Sequence, residues 1–176
     1  NKYFVICANV IGGCKCSTGP SSINPKTRKL YASDFPIITI KDMAYVQKLL
    51  VDYLGIKKVL CVVGGSMGGM LALQFISDYG DISHLAIIIG TAFKQPPQAI
   101  AFHEVGRQAI MRDTFWNQGN YYGKKAPEQG LSVARMLSHI SYMSQESMQE
   151  KFGRRLQGKD SLTYSFDVEF QIESYL

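Results

Sequence analysis

Ser66 stands between glycines, in Gly64-Gly65-Ser66-Met67-Gly68-Gly69, where an apolar run gives way to a helix-forming one. A serine placed on a sharp strand-to-helix turn is a nucleophile elbow: the turn strains the backbone at the serine, and glycines two positions either way avoid collision with neighbouring chain. The five residues before Gly64 are apolar or thiol-bearing, as expected of a strand buried on both faces of a parallel sheet. A phosphate loop is the competing glycine-rich reading, and it fails on spacing. There is no Gly-x-x-x-x-Gly-Lys-Ser/Thr, and Ser66 occupies the middle position that Gly-x-Gly-x-x-Gly reserves for glycine.

A serine hydroxyl is a weak nucleophile near neutral pH, so it needs a base, usually histidine oriented by a carboxylate, and donors for the developing oxyanion. The backbone N–H of Met67, the residue after the serine, is one expected donor. The second should come from the glycine-rich loop after the first strand, around Ile11. The three histidines are poor candidates for the base: His84 begins a strand pattern, while His103 and His139 sit in later helical stretches, and none follows a late strand. Arg107 shares a helical face with His103 and, on local residues alone, reads as a solvated side chain.

The elements that must position Ser66 follow a strand-helix-strand alternation. Asn1 to Ala8 reads as a strand, followed by a turn-rich loop, Asn9 to Pro20, and an irregular stretch to residue 36. Thr39-x-x-Asp42 resembles a capping box, and Met43, Val46, Leu50, Tyr53 and Leu54 recur at helical spacing until Gly55. A strand over 58–63, the elbow, a helix to about Tyr79 and an apolar run Leu85–Ile89 imply a parallel sheet with right-handed crossovers. From Phe93 onward the spacing is helical, with a loop at Gly119–Gly123, and reads as a cap inserted over the sheet's carboxyl edge. The expected division is thus an α/β core over 1–92, a helical cap over 93–165 and the start of a continuing segment over 166–176. The abrupt start without Met and the alternating Phe166–Leu176 run suggest a chain cut at both ends.

With 176 residues, 46% of them hydrophobic, the chain can bury one substantial core, and its 19% charged fraction is below the usual quarter. No apolar run approaches the roughly 18 residues that span a bilayer, and the first residues lack a signal-peptide pattern, so a cytoplasmic location is expected. The net charge of +5 gathers only at Lys26/Arg28/Lys29 and Lys151/Arg154/Arg155, with the single aromatic Phe152 among them and no series of stacking rings, which argues against nucleic acid as a partner. Cys7 and Cys61 lie in apolar patterns and read as core. Cys14-Lys15-Cys16 has no second ligand pair at metal-binding spacing, so no metal is expected.

Several segments, in this order, resemble the homoserine O-acetyltransferases, a branch of the α/β-hydrolase fold. They are Asn9-Val10-Ile11-Gly12-Gly13-Cys14, Ser17-Thr18-Gly19-Pro20-Ser21-Ser22, Asp34-Phe35-Pro36, Gly64 to Met70, Glu104-Val105-Gly106-Arg107-Gln108-Ala109-Ile110, Gly130-Leu131, Ala134-Arg135-Met136 and Lys151-Phe152-Gly153-Arg154-Arg155. The resemblance implies a partial α/β-hydrolase fold and a ping-pong acyl transfer: Ser66 takes acetyl from acetyl-CoA, a substrate and not a bound cofactor, and passes it to L-homoserine. It also implies that Arg107 binds the amino-acid substrate, which suits a guanidinium facing a carboxylate. Homodimers are common in that family. Cys16 stands where the family pattern has glycine, and the family's Asp and His are expected beyond Leu176, so the 176 residues alone are expected to be nearly inactive. Succinyl transfer to homoserine or serine, and ester hydrolysis, are the alternative reactions of the same elbow.

Overall fold

A computed structural model describes residues 2–176, which form two compact units, 2–95 and Pro96–Leu176. In the first unit, helix α1 (Ile40–Tyr53) begins at Thr39, whose hydroxyl accepts from the Asp42 N–H while the Asp42 carboxylate accepts from the Thr39 N–H. This reciprocal cap satisfies two N–H groups that a helix start leaves unpaired. The helix stops at Leu54, and Gly55 turns the chain away at φ +70°. Strand β1 (Val59–Gly65), helix α2 (Met67–Tyr79) and strand β2 (Ser83–Ile89) follow. The strands pair in parallel, from Val59 opposite Ser83 to Gly65 opposite Ile89.

Helix α2 packs against α1 and both strands, burying Leu71, Ala72 and Phe75 with Ala44 and Val51 of α1. Burial of a large apolar side chain such as Leu71 or Phe75 contributes about 1.5–3 kcal/mol. The sheet itself departs from the sequence reading, because its strands are not buried on both faces: Leu60, Val63, Leu85, Ile87 and Ile89 are each more than half exposed. Among the described elements of this unit α2 is the helix that packs on the strands, with α1 packed in turn on α2, so the side chains pointing away from α2 meet no cover.

The first residues also differ from expectation. Asn1 lies outside the described residues, and residues 2–8 form no strand, because no ladder partner receives their backbone groups. Cys7 is consequently exposed instead of sitting in the core, and Cys61 is half-buried.

In the second unit, α3 (Pro97–Met111) packs against α4 (Glu128–Ser141). The Asp113 carboxylate ties the two, accepting from the Gly130 N–H at 2.8 Å at the start of α4 and from the Phe115 N–H at 2.8 Å. The helical spacing over 129–157 is broken after Ser141, and α5 (Gln145–Lys151) restarts at Ser144, whose hydroxyl accepts from the Ser147 N–H. The alternating terminal run yields one bridge, Leu156 to Phe170, and then the short helix α6 (Gln171–Tyr175). The Glu173 carboxylate accepts from the N–H groups of Glu169 and Phe170, and this local capping turns the segment helical despite its period of two.

Candidate active site

The elbow is built by the end of β1, the turn at Ser66 and the start of α2. Ser66 has φ 53° and ψ −122°, a conformation that costs a non-glycine residue on the order of 1–3 kcal/mol. Its surroundings over-determine that conformation. The Ser66 N–H donates to the Ile89 carbonyl at 3.0 Å, and the Ser66 carbonyl accepts from the N–H groups of Gly69 at 2.9 Å and Met70 at 3.3 Å. The side chain makes no cap for α2, so the hydroxyl stays exposed at the head of the helix.

The glycines work differently from the sequence reading, which paired Gly64 with Gly68. A Cβ on Gly64 would lie 2.0 Å from the Gly68 carbonyl oxygen, so Gly64 is required by close approach. At Gly68 a Cβ would meet nothing within 4 Å, whereas at Gly69 it would lie 2.5 Å from the Thr91 methyl carbon. The close contacts are therefore backbone against backbone at Gly64 and helix against the segment after β2 at Gly69. The doubled glycine after Met67 was the available sequence signal, but which of the pair mattered depended on the placement of Thr91.

Met67 is the first residue of α2, and its N–H is one of those a helix leaves without an intrahelical acceptor. Ile11 lies in the loop of the same unit, which is closed by the Gly12 N–H on the Thr18 carbonyl at 2.8 Å and by the Asn9 amide on Lys15 and Ser17. Cys16 sits in this loop at φ 66°, the left-handed region that glycine enters freely.

The remaining candidates lie away from the turn or in the second unit. His84 is the second residue of β2, five residues before the strand end that meets the elbow, or roughly 16 Å along the strand. His103 lies on α3, and the His139 ring on α4 is tilted against that of Tyr175 with centroids 5.2 Å apart. Arg107, on α3, is exposed and paired with Glu104, its Nη2 2.6 Å from the carboxylate. The Gln108 amide first, and then Arg107, hold the Glu104 carboxyl below its ordinary pKa. Sequence spacing had set Arg107 beside His103, but the partner it takes is Glu104, three residues away on the same face.

A serine in a strained turn between a parallel strand and the helix that follows it is the backbone arrangement of an elbow in an α/β protein. Residues 1–165 match the alpha/beta hydrolase fold, and the chain belongs to that family. The chain is 61% identical along its whole length to a homoserine O-acetyltransferase of Methanobrevibacter ruminantium, covering 36% of that protein, and 52% identical to one of Desulfotalea psychrophila, covering 45%. It thus spans less than half the length of these curated relatives. Among solved structures, the homoserine O-acetyltransferase of Bacillus anthracis superposes with a TM-score of 0.79 at 29% identity, over 90% of this chain and 42% of that one. The L374D mutant of esterase E22 superposes with a TM-score of 0.76 at 30% identity, over 91% of this chain and 44% of that one.

Proposed function

We propose that the chain carries the nucleophile of a homoserine O-acetyltransferase, with Ser66 as the attacking residue. The observation that carries this reading is the strained, externally tied turn at Ser66 in a chain that aligns end to end with proteins of that name. In the first half-reaction the Ser66 Oγ attacks the thioester carbonyl of acetyl-CoA. Its proton passes to a base, the C–S bond breaks, and the proton leaves with the CoA thiol. The N–H groups of Met67 and Ile11 hold the oxyanion. In the second half-reaction the homoserine hydroxyl gives its proton to the same base and attacks the acyl-Ser66 carbonyl; the bond from that carbonyl carbon to the Ser66 Oγ breaks, the base returns the proton to Oγ, and the O-acetyl ester leaves.

Arg107 is proposed to bind the homoserine carboxylate, exchanging its Glu104 partner for the substrate or holding both through its fork of donors. The base and its orienting carboxylate are placed outside residues 1–176, a reading supported by His84 lying at the far end of β2 and by the greater length of the relatives. A cytoplasmic enzyme acting on small molecules, and assembling as a homodimer, completes the proposal.

Ester hydrolysis is the second reading, favoured by the likeness to esterase E22. The two differ in what reaches the acyl-enzyme. The full-length protein, given acetyl-CoA with and without homoserine, should release O-acetylhomoserine in step with CoA and little acetate. Acetate release unaffected by homoserine would make it a hydrolase.

A further inference from the structure

The two backbone groups of Ser66 are both answered by the end of β2, one directly and one through a contact that no sequence pattern marks. Ile89 accepts the Ser66 N–H, while the Ser66 carbonyl is held by Gly69, which rests on Thr91. Thr91 stands two residues past the strand, and its side chain lies hard against the bare Cα of Gly69: a Cβ there would be 2.5 Å from the Thr91 Cγ2 and 2.8 Å from its Cβ. Such an approach fixes the distance between α2 and the chain leaving β2. The Thr91 hydroxyl is not what makes the contact, since its oxygen is buried with no hydrogen-bond partner among the described residues. A buried polar atom that gains nothing from its surroundings leaves shape as the contribution of the residue.

We infer that Thr91 is a positioning residue for Ser66: its methyl group, seated where a Gly69 side chain would be, sets the depth of α2 and so the angle at which the elbow presents the nucleophile. The inference rests on the reading of Ser66 as the nucleophile. Small displacements of a reacting group carry large kinetic penalties, so loss of this contact should slow attack at Ser66.

The test is the rate at which a fluorophosphonate labels Ser66 in the full-length protein. Thr91→Val keeps the shape and should be labelled within about threefold of the parent, whereas Thr91→Ser removes the methyl and should be slowed about tenfold. Gly69→Ala should be slowed by about a hundredfold, and adding Thr91→Gly to it should recover about tenfold. Normal labelling of Thr91→Ser with slow labelling of Thr91→Val would assign the role to the hydroxyl and overturn the inference, as would a double variant no faster than Gly69→Ala. A parent that is not labelled overturns the nucleophile reading instead. The thermal midpoints of the same proteins then decide the contact: Thr91→Gly restoring the loss caused by Gly69→Ala upholds it, and no restoration refutes it.

Discussion

Gly64 lies directly against Gly68 across the elbow, with the Gly68 carbonyl oxygen occupying the place a Gly64 side chain would take. The turn can close only because that place is empty of carbon. Gly64→Ala should therefore cost about 2–3 kcal/mol of stability as an overpacked substitution against rigid backbone. Gly68→Ala, in open space on the first turn of a helix, should be neutral or stabilise by up to about 1 kcal/mol. Urea unfolding of the two variants checks this, and equal losses would contradict the contact.

Cys16 adopts a left-handed conformation in the loop that carries Ile11, a proposed oxyanion donor. Cys16→Gly should raise stability by about 1 kcal/mol, the scale of strain an L-residue carries there, less the greater freedom glycine has when unfolded. Differential scanning calorimetry showing a lower midpoint for the variant would place the strain elsewhere.

The proposed role of Arg107 distinguishes the two half-reactions of the proposed acyl transfer. Arg107→Ala should leave Ser66 acylation by acetyl-CoA within a few-fold of the parent, while transfer to homoserine falls by about 30-fold or more, as for a truncated charge pair. Arg107→Lys should recover only part of it, since an ammonium lacks the planar fork. Stopped-flow measurement of each half-reaction provides the check, and unaltered transfer in Arg107→Ala removes the residue from the site.

The cap of α1 carries a pH dependence of defined sign. The Thr39 hydroxyl first, and then the Thr39 N–H, hold the Asp42 carboxyl below its ordinary pKa. A carboxylate depressed in the folded state contributes stability that is fully present above its unfolded value, near about 3.9, and is lost as pH falls below that through the folded value. Thr39→Ala should cost about 1 kcal/mol at neutral pH, and the difference from the parent should shrink below that window. A difference that is constant down to the acid limit would show that Asp42 takes no part.

The local grammar of this chain was readable where a short segment determines its own structure. Thr39 with Asp42 and the Gly55 stop each depend on neighbours within a few residues, while the elbow at Ser66 and the strand ending at Ile89 were marked by glycine spacing and an apolar run although each is completed by the other. What was not readable depended on distant partners. Residues 2–8 have strand composition but no ladder partner, so Cys7 is exposed, and the choice between Gly68 and Gly69 was decided by Thr91, more than twenty residues away. Gln171–Tyr175 inverted the expected alternation because the Glu173 carboxylate captured two N–H groups at the turn before it. At Cys16 the sequence departed from the family pattern, and the backbone there is one that glycine would adopt without strain.

The proposed acyl transfer turns on covalent acylation of the Ser66 Oγ. Incubating the full-length protein with acetyl-CoA in the absence of homoserine, quenching in acid and mapping peptides by mass spectrometry tests it most directly. The predicted result is one acetyl group on the peptide containing Ser66, absent from Ser66→Ala and discharged when homoserine is added before the quench. Acetyl found instead on Cys14 or Cys16, or no acetylated peptide while CoA is released in the presence of homoserine, would contradict it.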